Sequence, residues 1–349
     1  MEADQNPGMA GLHQGARRAL RWETGLVVVI IAILVVGGLV SPEFLTGGNI
    51  FNLGLSYGEI AIMTLPMALI IISGEIDLSV ASMLGMSSAI LGVLWSDHWP
   101  MLAIFVVVLI GGALAGLFNG LLVTRLGLPS LAVTIGTLAL YRGIALILLG
   151  PKTISSFPTI YTDVGVNTIP GTQLTYSTGI FIVLAITFGV VLHFTPAGRW
   201  IYAMGASPDA ARFAGIRVKR VKTLLFVTSG IICSLAGVLW TFRLSTAVQN
   251  NGLGLELDVV AIVLLAGVSI FGGKDTIVGV VLAVLVYAGI QNMLLLTNFN
   301  QEATGIVTGA ILLASVFVPN AASFSARFRD QLRNRRDKAV APVTRAGLQ

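Results

Sequence analysis

Glu75 and Asp77 stand two residues apart in SGEIDLSVAS (73–82), between the uncharged apolar runs ALIII (68–72) and MLGMSSAILGVLW (83–95). Such a pair can act as general acid and base, as a proton or ion site, or as the polar corner between two apolar helices. Catalysis needs companions, and the chain offers none. GGKD at 272–275 has neither the spacing nor the Ser/Thr of a phosphate-binding loop. His13, His98 and His193 are widely separated, which argues against a histidine-based metal cluster, and no nucleophile elbow or H-E-x-x-H pair occurs. No catalytic residue and no metal ligand is therefore assigned. As proton carriers the two carboxylates would need a buried site with raised pKa values. As a corner, Asp77 needs only to accept backbone N–H bonds at a helix start, while Glu75 stays solvated at the interface.

A second set of polar residues lies inside apolar runs. Asn119 sits in GLFNGLL, and Gln291 and Asn292 in AGIQNMLLL. They either tie helices together or line a path for a hydroxyl-rich molecule, since an amide offers both donors and acceptors. Arg142 and Arg243 either snorkel outward or pair with an acid.

The elements that position these residues follow from composition. The chain has 349 residues, 55% hydrophobic and only 11% charged, with a mean hydropathy of +0.90. Soluble domains carry about 25% charged residues. Continuous apolar runs without alternation predict an all-α integral membrane protein, not a barrel. Ten spans can be drawn, near 24–40, 50–72, 79–95, 101–124, 130–149, 176–194, 222–242, 257–272, 276–297 and 303–319. With both termini cytoplasmic, 18 of the 21 Lys and Arg residues fall inside, leaving Arg142, Lys152 and Arg243 outside. The net charge of +5 thus follows membrane orientation and calls for no nucleic acid. The run from Leu26 to Val40 has no cleavage site after it and reads as a retained helix. Cys233, the one cysteine, reads as a packing residue. The organisation is a cytoplasmic segment (1–23), a transmembrane domain (24–319) with a cytoplasmic loop at 195–221, and a basic tail (320–349) that touches the membrane lipid surface.

Gly112, Gly116 and Gly120 lie four apart, a groove for a neighbouring backbone. The outer connection at 150–175 has no regular period and reads as a cap or docking loop. Glu75-Ile-Asp77 opens a span from the inner side and Glu256-Leu-Asp258 opens one from the outer side, which hints at an inverted repeat. In the inner loop, Ser207 suits an N-cap, Pro208 the first helical position and Asp209 the positive helix end. Ala210, Ala211, Arg212 and Phe213 continue the helix, and Gly215 can end it in the left-handed conformation.

That loop, MGASPDAARFAGIRVKRVK, resembles the coupling loop of ABC importer permeases of the ribose, xylose, rhamnose and autoinducer-2 class. GEIDLSVAS resembles the family's G-G-I-D-L-S-V-G-S, departing at Glu75 and Ala81, where the family usually has Gly. AGLFNGLLVTRLGLPSLAVTIGTLALYRGIAL and GLELDVVAIVLLAGVSIFGGKDTIVG resemble two further family segments, so the likeness covers roughly residues 50–315. The resemblance implies a permease subunit for a simple sugar or sugar-like signal in a bacterial inner membrane. It implies a second permease, identical or related, and an extracytoplasmic solute-binding protein. It also implies a separate ATP-binding subunit that holds ATP and Mg and receives the helix 207–215, so this chain would carry no cofactor. Asp77, Ser79, Asn119, Thr134 and Asn292 become candidates for the path or its gate. Glu256 and Asp258, at the outer mouth, either cap their span or touch the binding protein. A branched-chain amino-acid permease is the nearest alternative; a proton-coupled transporter using Glu75 and Asp77 is the other.

Overall fold

The computed structural model describes residues 7–269, 272–273, 276–297, 299 and 302–317, with side chains from Trp22 onward. Lys274 and the tail 320–349 lie outside the described residues. Among the described residues all regular structure is helical, apart from two isolated bridges, Ile154 with Ala247 and Thr168 with Thr175. The helices are α1 (Pro7–Val40), α2 (Gly47–Ile72), α3 (Val80–Ser96), α4 (Met101–Thr124), α5 (Ser130–Leu149), α6 (Thr159–Val166), α7 (Tyr176–Phe194), α8 (Pro196–Ala206), α9 (Pro208–Phe213), α10 (Val218–Leu244), α11 (Leu255–Leu265), α12 (Ile277–Leu296) and α13 (Glu302–Phe317).

Seven of them are long and apolar enough to cross a membrane: α1 from Trp22, α2, α4, α5, α7, α10 and α12. The other three expected spans are shorter helices. With 17 residues, α3 rises only about 25 Å, less than the ~30 Å hydrocarbon layer, because the corner before it takes residues 73–79 out of the helix. The span drawn at 257–272 is α11, which stops at Leu265. Gly267 turns the chain with φ +99°, and Gly272 and Gly273 also have positive φ, which no helix tolerates. The span drawn from residue 222 starts a turn earlier, at Val218. The boundary at 23/24 falls inside the continuous helix α1.

At the centre stands α2. From Gly58 to Ile72 every residue is buried, Glu59 and Thr64 among otherwise apolar side chains and glycine, as expected for a helix packed on all sides. The most extensive packing is α4 against α10. A Cβ on Gly112 would overlap Ser234 and the Gly230 carbonyl, one on Gly116 the Phe226 carbonyl, and one on Gly230 the Gly112 carbonyl. The glycine row therefore sets the approach of these two backbones.

The connection at 150–175 is more ordered than its composition suggests. It contains α6, and Phe157 and Tyr161 pack with Phe105 and Phe242, their ring centroids 5.7–6.1 Å apart. On the side opposite this connection, α8, α9 and the start of α10 carry Arg199, Arg212, Arg217, Lys219, Arg220 and Lys222. This side is termed the basic face.

Candidate functional site

The corner between α2 and α3 turns two of its polar residues inward. Asp77 and Ser79 are completely buried. One carboxylate oxygen, Asp77 Oδ1, accepts the Ser79 backbone N–H at 3.0 Å and the Ser79 hydroxyl at 2.5 Å. The other, Oδ2, accepts the Ser229 hydroxyl at 3.2 Å. Asp77 thus satisfies the backbone just ahead of α3, where Ser79 stands as N-cap but its hydroxyl makes no capping bond to the helix backbone. Asn119 Nδ2 then donates to Ser79 Oγ at 2.8 Å, and Tyr141 donates to Asn119 Oδ1 at 2.9 Å. The chain of bonds joins α10, the corner, α4 and α5. Thr134 adjoins it: its hydroxyl lies 2.9 Å from the Ser130 carbonyl and 3.3 Å from that of Ile76, whose N–H donates to Ser130 Oγ.

Glu75 points the other way, toward the basic face, and pairs with Lys222. Lys222 and Ser229 are seven residues apart, two turns on one face of α10. Two acids of the corner are therefore held by two residues of one helix. Glu75 is less solvated than its sequence position suggests, its side chain being 16% exposed. Buried groups that hydrogen-bond in this way rigidify the element that carries them.

On the basic face, α9 follows from its residue types. Ser207 Oγ accepts the Ala210 N–H at 3.3 Å, Pro208 occupies the first turn, and Asp209 pairs with Arg212 at 3.0 Å. Gly215, with φ +82°, closes the end as Ile216 N–H returns to the Ala211 carbonyl at 3.0 Å. Ala211 is its buried anchor, whereas Phe213 is 93% exposed. The preceding α8 has no counterpart in the sequence reading, although Pro196 at its first turn is the usual signal. Gly205 presses on the last carbonyl of α2, Ile72, which also accepts from Gly273 N–H at 2.9 Å. The end of α2 thus fixes where α9 stands.

Asn292 belongs elsewhere. It exchanges two amide hydrogen bonds with Asn49, at 2.8 and 3.0 Å, far along α2 from the corner. Near it, Asp258 accepts the Tyr287 hydroxyl at 2.7 Å, and Gln291 donates to Tyr287 and Thr308 at 3.0 and 2.9 Å. Glu256 sits half-buried in the first turn of α11, beside the favourable end of the helix dipole. The two E-x-D triplets therefore each lead into a polar network, one near each face.

Several residues of these networks carry little sequence signal. Ser229, Tyr141, Tyr287 and Thr308 are ordinary span residues until folding pairs them. Glu59, fully buried in α2, pairs with Arg243 at 3.2 Å and accepts from Ser177 at 3.3 Å. A charge in the middle of an apolar run was the sign for it. Arg142 instead binds backbone carbonyls, Asn251 at 2.7 Å and Gly252 at 3.3 Å. Among the described residues no group of His, Cys, Asp and Glu could hold a metal.

Comparison with known proteins gives one family. Residues 49–316 match the branched-chain amino acid transport system / permease component family. The chain is 34% identical over 294 residues to the L-arabinose ABC transporter permease protein AraH of Azospirillum brasilense, covering 84% of this chain and 86% of that one. It is 30% identical over 296 residues to the ribose import permease protein RbsC of Haemophilus influenzae, covering 84% and 91%. It is 30% identical over 303 residues to the autoinducer 2 import system permease protein LsrD of Klebsiella pneumoniae, covering 85% and 91%. No solved structure matches.

Proposed function

The chain belongs to the branched-chain amino acid transport system permease component family, and on that premise we propose that it forms the membrane path of an ATP-driven importer for a simple sugar or sugar-like molecule. It is a multi-pass inner-membrane protein of bacterial type, and its family is a transport component, not an enzyme. The family description names branched-chain amino acids, whereas relatives matched across most of both chains are permeases for arabinose, ribose and autoinducer 2. That breadth of similarity carries the sugar reading. Apolar amino-acid side chains would want an apolar path, while hydroxyl-rich cargo wants the paired donors and acceptors that amides and hydroxyls offer.

ATP and Mg belong to a separate ATP-binding subunit, which receives α9. A second permease, the same or related, completes the path, and an extracytoplasmic binding protein delivers cargo at the mouth near Glu256 and Asp258. Both termini lie in the cytoplasm, so the basic face is the cytoplasmic one. In the described conformation Asp77, Ser79, Asn119 and Thr134 are buried and bonded to one another's elements. Such residues act as a gate support near the basic face, with Asn292 as the corresponding brace near the other. Nucleotide moves the equilibrium between outward- and inward-facing states only by favouring one of them.

Reconstitution decides the matter. The permease with its ATPase subunit and binding protein is placed in proteoliposomes and offered labelled arabinose, ribose and leucine. ATP-dependent uptake of a sugar, insensitive to a pH gradient, is expected. Uptake driven by a pH gradient without the ATPase, or of leucine in place of sugar, overturns the reading.

A further inference from the structure

We propose that Glu75 and Lys222 are positioning residues that carry movement of α9 into the buried corner at Asp77. The inference rests on the reading of α9 as the helix that an ATPase subunit receives.

The elbow joining α9 to α10 is short and bonded. Gly215 N–H donates to the Arg212 carbonyl at 2.9 Å, Ile216 N–H to that of Ala211 at 3.0 Å, and Val218 N–H to that of Ile216 at 2.8 Å. Val218 is buried. A push on α9 is therefore delivered to the first turns of α10, not absorbed between them. Lys222 lies there and holds Glu75, with side chains 11% and 16% exposed. A pair so enclosed is screened far less than a surface pair. Two residues on from Glu75, Asp77 is held by Ser229 of the same helix and by Ser79, which leads to Asn119 and Tyr141. With only the Ser229 hydroxyl gripping the corner, α10 could slide past it. The ion pair adds a second point two turns away and makes the corner follow the helix.

Space for the movement is present. A cavity of about 460 Å³ opens beside the pair, lined by Glu75, Arg125, Pro129, Arg212, Lys219 and Lys222. The elbow can approach the α4–α5 connection across it. The same cavity places Arg125, Arg212 and Lys219 where one of them can take over Glu75 if Lys222 is lost. Removal of the carboxylate is thus the cleaner break.

The test uses the full complex in proteoliposomes and reads three quantities: retention of the ATPase subunit, ATP hydrolysis, and sugar imported per ATP. Glu75→Gln is expected to retain the ATPase and hydrolyse ATP while sugar per ATP falls about tenfold, within the usual range of coupling between sites. Lys222→Arg keeps the charge and is expected to keep the ratio. The exchanged pair, Glu75→Lys with Lys222→Glu, is expected to recover most of it, and carries the test if Glu75→Gln does not assemble. A wild-type ratio in Glu75→Gln overturns the inference. So does an exchanged pair no better than Glu75→Gln, or a loss of hydrolysis in step with uptake, which marks a merely structural contact. Failure of the wild-type chain to retain an ATPase overturns the docking of α9 itself.

Discussion

Glu59 and Arg243 form an ion pair across α2 and α10 in which the Glu59 side chain is completely buried and that of Arg243 is 14% exposed. Arg243 Nε approaches Oε1 at 3.2 Å, and its guanidinium lies 4.4 Å from the centre of the Trp240 ring. Ser177 of α7 donates to the same oxygen, so three helices meet at one carboxylate. Oε2 has no hydrogen-bond partner among the described residues. A buried pair contributes little net stability when intact, but removal of one member leaves an uncompensated charge.

Arg243→Met is therefore expected to destabilise the protein by about 3–5 kcal/mol, while Glu59→Met with Arg243→Met together should be close to neutral. Thermal unfolding of the purified protein in detergent checks this. Equal losses in the single and double variants would show that the arginine acts through its packing on Trp240 alone.

Gly116 faces the Phe226 carbonyl so closely that any side chain must move α10. Gly116→Ala is expected to cost about 1–3 kcal/mol, the usual penalty of overpacking. Gly136 on α5 has open space at its Cβ position, so Gly136→Ala should cost nothing measurable. The two melting curves, compared side by side, separate close packing from a general intolerance of added methyls.

Asp77 accepts three hydrogen bonds, two from Ser79 and one from Ser229. Asp77→Asn keeps one carbonyl acceptor and should retain partial uptake. Asp77→Leu orphans the donors at a cost of about 1–3 kcal/mol each, and uptake should be lost. Uptake in proteoliposomes, normalised to inserted protein, checks the order. Equal and undiminished uptake in both variants would leave the carboxylate without a role.

Much of this was readable before folding, and the reasons differ by element. The apolar runs dictated the spans because a membrane helix must satisfy its own backbone. Ser207, Pro208 and Gly215 marked the ends of α9 because capping chemistry is local. The glycines of α4 announced a close neighbour without naming α10. What escaped is non-local. Nothing in the sequence says that Ser229 reaches Asp77 or that Glu59 reaches Arg243, because 152 and 184 residues separate these partners. The early stop of α11 was missed because VSIF after Gly267 is as apolar as a span, and only the backbone at Gly267 shows the break. Glu75 looked solvated because its partner Lys222 belongs to a helix whose start was placed a turn late.

Phe213 offers the sharpest separation of docking from folding. It is almost wholly exposed on a short helix anchored by Ala211, and the Asp209–Arg212 pair beside it is also open to solvent. Surface substitutions of this kind stay within about 0.5 kcal/mol in stability. Phe213→Asp should therefore leave insertion and the melting temperature unchanged. On the proposed docking of α9, Phe213 is the aromatic that the ATPase subunit would bury, and aromatic anchors dominate such interfaces. The same variant should thus lose ATPase co-purification and, with it, ATP-driven uptake. Normal co-purification of the ATPase with Phe213→Asp would remove α9 from the interface, whatever the protein then transports.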